Sequence, residues 1–219
     1  MEIGGINLKK AIMIFVLATV LAGCTVGSSI EQQLADAMTA MNNAEQDYRD
    51  AQAELTSLEQ SEQQLFNETM KLTQQQQEEL TVKVAELEES LGKRLEKLKQ
   101  EEASIDKSEA SASDLDSILK NADEQVKDDI EKLQAVVNER YTSHTEFITA
   151  YKKLATLQQQ LYEMLRAEGT QLTELTSQVD EVNTQNETVQ STVTLFNVLT
   201  EKVNILKDDV FEGLQQTKR

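Results

Sequence analysis

Residues 30–72 read IEQQLADAMTAMNNAEQDYRDAQAELTSLEQSEQQLFNETMKL. Apolar or small side chains fall at Ile30, Leu34, Ala37, Met41, Ala44, Tyr48, Ala51, Leu55, Leu58, Leu65 and Leu72. The steps alternate between three and four, with Glu62 and Thr69 filling the two remaining places. That spacing lays one narrow apolar stripe along an α-helix, the pattern of a helix packed through a seam. Disorder is the competing state for a polar, acidic chain, and it has no reason to keep such a register. The stretch decides for long packed helices.

Composition agrees along the rest of the chain. There is no proline and no tryptophan, aromatic residues make up 4%, and past Ser28 the glycines are Gly92, Gly169 and Gly213. Sheet-containing and compact α/β domains need turn residues every few positions. Glu, Gln, Lys, Leu and Ala, which are abundant here, favour helix. The expected fold is all-α, an elongated antiparallel up-and-down (spectrin-like) bundle of three to four long helices. The alternative is a single extended homodimeric coiled coil.

Ser28 and Glu31 are spaced as a capping box that opens the first helix. The seam shifts after Gln74, Gln75, Gln76 and Gln77, and resumes at Leu80, Val84, Leu87, Leu91, Leu98 and Ile105. This tract reads as a turn or as a skip in one long helix. The helix propensity of glutamine favours the skip, which places the first turn earlier, within residues 49–61. Residues 104–113, rich in Ser and Asp, read as a linker, because these side chains compete for backbone hydrogen bonds. A helix restarts near Ser113 or Asn121 and runs through Val126, Ile130, Val137, Tyr141, His144 and Ile148 to Leu165. Gly169 then fits a helix C′ position and Thr170 the next N-cap. The last helix carries Leu172, Leu175, Val179, Val182, Val189, Phe196, Val203 and Val210, with one three-residue slip near Phe196. The helical domain is set at residues 29–214 and a short tail at 215–219. Helices of about 45 residues joined by short linkers must run antiparallel to bury their seams on each other.

Ahead of the helices, Lys9 and Lys10 precede an uncharged run to Gly23. A basic segment, a short apolar segment and small residues at the end describe an export signal. Leu21, Ala22, Gly23 and Cys24 resemble the bacterial lipobox, in which cleavage between Gly23 and Cys24 leaves the cysteine as the first mature residue, carrying a diacylglyceryl group. Cys24 is the only cysteine, so it has no internal disulfide partner. Residues 1–23 are read as signal peptide and 24–28 as lipidated cysteine and tether. The expected location is the extracytoplasmic face of the cell membrane, held by the covalent lipid, with no other cofactor. The formal charge of −18 opposes nucleic-acid binding and a peripheral grip on anionic lipid. Most of that charge reads as a solvated surface.

No catalytic or metal-binding constellation emerges. His144, the one histidine, sits on the apolar phase between Tyr141 and Ile148 and reads as a seam residue. Zinc sites need several Cys or His ligands. Carboxylate pairs such as Glu78–Glu79 and Asp128–Asp129 read as solvated helix faces, and Asp123, Asp128 and Asp129 lack an EF-hand's loop glycine and spacing. Tyr141, Tyr151 and Tyr162 follow one helix at roughly heptad phase. They read as seam residues, or as an aromatic strip that stacks on sugar rings and forms a binding surface.

Asn138-Glu139-Arg140-Tyr141, then Tyr151, then Leu161-Tyr162-Glu163-Met164-Leu165 resemble the YkyA-type lipoproteins of Bacillus relatives and other Firmicutes, a family described as cell-wall binding. Leu58-Glu59-Gln60-Ser61-Glu62-Gln63-Gln64-Leu65-Phe66 with Lys71-Leu72 resembles its earlier helix. The resemblance implies an all-α bundle on a lipid anchor at a Gram-positive surface, with no enzymatic activity. The expected function is non-enzymatic binding of peptidoglycan or an envelope protein. The alternative is an extracytoplasmic chaperone or scaffold for envelope proteins.

Overall fold

A computed structural model of the protein describes residues 29–216. Gly23, Cys24 and the expected signal and tether lie outside the described residues. The elements in chain order are α1 (Ile30–Ala44), α2 (Gln46–Thr69), a 3-10 turn (Gln74–Gln76), α3 (Gln77–Ala112), α4 (Asp114–Asn121), α5 (Glu124–Arg166) and α6 (Leu172–Gln216). Among the described residues there is no strand, and no helix is long and apolar enough to cross a membrane. The protein is all-α, with long helices, as the seam requires. α6 continues two residues past the boundary expected at 214.

The first helix is capped one residue later than its sequence suggests. Ser29 is the N-cap, and its hydroxyl accepts from the Gln32 amide at 3.2 Å; Ser28 lies outside the described residues. α1 and α2 are separated only at Glu45. There Ser104 Oγ donates to the Ala44 carbonyl at 2.6 Å and accepts from the Tyr48 amide at 2.9 Å. A side chain from another helix thus occupies the i to i−4 ladder, a recognised cause of helix interruption.

Four expectations about connections are corrected. Residues 49–61 hold no turn, because they lie inside α2; the chain turns at residues 70–76 instead. The glutamine tract belongs to that turn: Gln76 accepts from the Thr73 amide through its side chain at 3.2 Å, while its own amide donates to the Thr73 carbonyl. Glutamine serves here as a local cap, which propensity does not reveal. Residues 104–112 are helix rather than linker, since Ser104 and Ser108 occupy seam positions and are completely buried. Small hydroxyls let helices approach closely while pairing their own polar atoms. Gly169 does end α5 in a left-handed conformation, φ 84°. Thr170 closes α5 rather than opening α6, its hydroxyl donating to the Met164 carbonyl at 2.8 Å. Glu174 caps α6 by accepting from the Gln171 amide at 3.2 Å.

The described residues form two compact units. Unit 1 takes residues 50–101 and 146–192, and so contains most of α2, the first part of α3, the second part of α5 and the first part of α6. Its helices alternate in direction: Glu68 pairs with Lys83 and Glu54 with Lys97 across α2 and α3. Gln77 bonds the Arg166 carbonyl and Gln159 reaches Glu88 across α3 and α5. Gln178 bonds the Leu157 carbonyl and Gln185 the Ala150 carbonyl across α5 and α6. Leu55, Val84, Leu87, Leu91, Leu98, Leu154 and Leu161 supply its core.

Unit 2 takes residues 29–49, 102–145 and 193–216 of the described chain. Its core gathers Leu34, Met38, Ile105, Leu115, Ile118, Ile130, Leu133 and Val203. His144 is buried here, its ring 5.4 Å from Phe196 and 6.1 Å from Tyr48 between centroids. It is packed as a seam side chain.

Candidate functional site

The seams of both units are interrupted by charge. In unit 1, Glu62 takes one of the two places on α2 that lack an apolar residue, and Arg94 falls between Leu91 and Leu98 on α3. Antiparallel packing brings the two together. Arg94 Nη1 donates to Glu62 Oε1 at 2.6 Å and to Gln158 Oε1 at 3.1 Å, and Nε donates to the Tyr151 hydroxyl at 2.8 Å. Tyr151 in turn donates to Glu59 Oε1 at 2.6 Å, and Tyr162 donates to Glu62 Oε1 at 2.7 Å. Arg94 and Glu62 are only 2% and 3% exposed, so neither charge is tolerable without the other.

These neighbours govern protonation. Burial opposes the charge on Arg94, but the oxygens of Tyr151, Glu62 and Glu59 outweigh it and hold the guanidinium protonated. Burial raises the Glu59 carboxyl above the usual carboxylate value, partly offset by Arg94 and the Tyr151 hydrogen bond. Tyr151 and Tyr162 are raised well above an ordinary phenol, chiefly by burial. Both hydroxyls stay neutral and act as donors.

Unit 2 uses the same device with a different outcome. Arg140 grips Glu45 with two parallel hydrogen bonds, Nη1 to Oε1 at 2.7 Å and Nη2 to Oε2 at 2.8 Å. Ser108 Oγ also donates to Glu45 Oε1 at 2.8 Å, and Arg140 Nε donates to Thr200 at 2.8 Å. The guanidinium lies 4.4 Å from the centroid of the Phe196 ring. Burial opposes this charge too, but Glu45 outweighs it. Both carboxylate oxygens of Glu45 are engaged. In unit 1, Glu62 Oε2 is buried and has no hydrogen-bond partner.

Unit 1 also holds a cavity of about 370 Å³, with Glu62 among its lining residues. Its polar wall includes Glu59, Glu62, Arg94, Gln158 and Asn186, with Gln60, Gln63, Gln64 and Gln190 around them. Its apolar wall is Phe66, Leu154, Leu161, Val182 and Val189. Small-molecule sites combine an apolar surface with a few convergent polar groups in this way, at volumes of roughly 300–1,000 Å³. Among the described residues, no three His, Cys, Asp or Glu side chains gather as a metal site would require.

Of the two readings of the tyrosines, burial supports the seam and not an exposed aromatic strip. Tyr141, Tyr151 and Tyr162 are each 2% exposed, which leaves no ring face open to a sugar. Tyr151 and Tyr162 serve the unit 1 network, while Tyr141 bonds Ser108 at 2.8 Å in unit 2. Sequence reasoning missed Arg94 and Arg140 as centres of these networks. The signal was present as charge at seam spacing, in Glu62 on α2 and Arg94 on α3.

Fold and site together define an all-α protein of long antiparallel helices, with a buried ion network in each unit and a cavity against one of them. The chain belongs to the YkyA family, whose model, described as "Putative cell-wall binding lipoprotein", matches residues 29–213. It is 33% identical over 128 residues to the uncharacterized lipoprotein YkyA of Bacillus subtilis (strain 168), a match covering 57% of this chain and 56% of that one. The matched stretch thus spans little more than half of that relative's length. A crystal structure of a conserved protein of unknown function from Staphylococcus aureus superposes with a TM-score of 0.70 at 17% identity, covering 85% of this chain and 97% of the other. That likeness shows a shared fold.

Proposed function

We propose that this chain is a non-enzymatic surface lipoprotein, anchored at the extracytoplasmic face of the cell membrane through a diacylglyceryl group on Cys24, and that it binds the cell wall through unit 1. The carrying observation is the amide-lined cavity of that unit. Glutamine and asparagine side chains donate and accept at one site, so they suit the hydroxyl and acetamido groups of a neutral glycan and the amides of its peptides. The apolar wall suits the C–H faces of the same polymer. Anionic wall polymers are disfavoured as ligands by the −18 charge of the chain. The family description and the lipoprotein name of the Bacillus subtilis relative support the same reading.

The wall reading is tested by sedimenting the mature chain with purified peptidoglycan stripped of anionic polymers. Saturable co-sedimentation is expected without divalent cations. Recovery of the chain in the supernatant at every wall concentration contradicts it. The anchor is tested separately by intact mass. The membrane fraction should hold a chain beginning at a lipidated Cys24, and Cys24→Ser should abolish both the lipid mass and membrane retention.

A second reading, as a scaffold or chaperone for envelope proteins, draws on Leu195, Val198 and Ile205 of α6, which are 44%, 55% and 54% exposed. Suppression of aggregation of a denatured client, lost when these three are changed to Gln, would favour it over wall binding.

A further inference from the structure

We propose that the outer face of α6 in unit 2 pairs with the same face of a second copy of this chain, the two helices running antiparallel. Leu195, Val198 and Ile205 form the apolar contact, and Glu201 and Lys202 exchange ion pairs across it. The proposal is independent of the wall-binding reading, and it gives this face an occupant other than the denatured clients of the scaffold reading.

The argument begins with a second stripe on one helix. α6 turns Phe196, Leu199, Val203 and Val210 into the unit 2 core. On its other side Leu195, Val198, Lys202 and Ile205 step by three, four and three, and all four are exposed. That is the spacing of a helix seam, repeated on a face that no helix of this chain covers. A lysine at a seam position lays its stem along apolar neighbours and holds its charge at the edge. The stripe ends C-terminally in Asp209 and Glu212, both exposed.

Charge selects the occupant and its direction. Among the described residues Asp208 pairs with Lys207 at 3.2 Å, whereas Glu201 and Lys202 have no ion-pair partner. A parallel second copy would set Lys202 on Lys202, Asp209 on Asp209 and Glu212 on Glu212, and like charges facing each other destabilise a pair. An antiparallel copy, with its two-fold axis midway between Leu195 and Ile205, sets Leu195 opposite the second copy's Ile205 and Val198 opposite its Lys202. It carries Asp209 and Glu212 to opposite ends of the contact. Glu201 of the second copy then lies about 4.5 Å along the axis from Lys202, at 1.5 Å per residue, a gap that a lysine stem spans. The same pair forms twice, because a two-fold contact uses one patch on both copies. The −18 charge of the chain repels a second copy at long range, but screening over about 8 Å at physiological ionic strength leaves the contact residues to decide. Three apolar side chains per copy make a small contact, so the dimer is weak and reversible.

The test uses the mature chain with Cys24→Ser, which removes its native thiol. Leu195→Cys, Ile205→Cys and, as a control at another exposed helix position, Lys153→Cys are oxidised singly, and the first two also as an equal mixture. Circular dichroism reports whether each variant is folded. Identical positions in the antiparallel pair are about 15 Å apart along the axis, too far for a disulfide. The mixture should therefore yield a 195–205 linked dimer, and each variant alone no more than the control. Sedimentation velocity over a concentration series should show reversible dimers, weakened roughly threefold to tenfold by Lys202→Glu and restored when Glu201→Lys is added. Linking of each variant with itself in preference to the mixture overturns the antiparallel pairing. Linking no greater than the control, monomers at every concentration, or dimers indifferent to Lys202→Glu overturn the assignment of this face to a second copy. None of these readouts depends on wall binding.

Discussion

Arg140 is held by Glu45 through two parallel bonds in a setting where both side chains are almost fully buried. Removing one member of such a pair strands the other in a low-dielectric core, at a cost of about 3–5 kcal/mol. Arg140→Met should therefore lower unfolding stability by about that amount in urea melts, and adding Glu45→Leu should restore much of it. If the two losses simply add, the pair is not coupled as described. Glu59 offers a pH signature of the opposite kind. Its carboxyl is raised above 4.5 chiefly by burial, so the folded chain holds that proton more tightly than the unfolded chain. The stability it contributes is complete below 4.5 and is lost as pH rises through the folded value. Glu59→Gln, which keeps an acceptor for Tyr151, should gain stability relative to wild type as pH increases from 4.5, and a constant difference at all pH would refute this. The charged seam positions were visible in sequence as missing apolar residues on α2. Which cation met them was not, because the pairing crosses between helices and depends on how their registers align.

At the scale of elements, the break between α1 and α2 owes its geometry to a serine 60 residues away from the carbonyl it binds. Ser104→Ala removes the partner of the Ala44 carbonyl and the Tyr48 amide together. An unpaired buried polar group costs about 1–3 kcal/mol, so a loss in that range is expected from thermal or urea unfolding. Glycine positions separate in the same way. Gly169 adopts φ 84°, and Gly169→Ala should cost about 1–2 kcal/mol despite open space around it. Gly92 lies within α3 with nothing within 4 Å of an added Cβ, so Gly92→Ala should stabilise by about 0.5–1 kcal/mol. The helices were legible because a seam repeats dozens of times and needs no knowledge of a partner. Their connections were less so. Serine at residues 104–113 carries the composition of a linker, yet Ser104 and Ser108 sit four apart on a buried face, where spacing outranks composition. Glutamine at 74–77 reads as helix by propensity, although the Gln76 side chain caps a turn.

At the scale of the whole molecule, the described chain is two units, each with its own apolar core and its own buried arginine. The networks differ in one respect. In unit 2 both oxygens of Glu45 are engaged, whereas in unit 1 Glu62 Oε2 is unpaired and Glu62 is among the residues that line the cavity. Tyrosine at roughly heptad spacing reads first as a seam residue, with an aromatic strip as the alternative binding surface. Burial of all three rings resolves the choice. The amide-rich wall of the cavity was hidden for a related reason: Gln60, Gln63, Gln64, Gln158 and Gln190 come from three different helices and look like ordinary solvated helix residues one by one.

The measurement that bears most directly on the account is co-sedimentation of the mature chain with purified peptidoglycan, comparing wild type with the cavity-filling Val189→Phe. The account predicts saturable binding by the wild type and at least a tenfold weaker association for the variant at equal helix content. Wild-type protein that stays in solution, or a variant that binds the wall equally well, would contradict it.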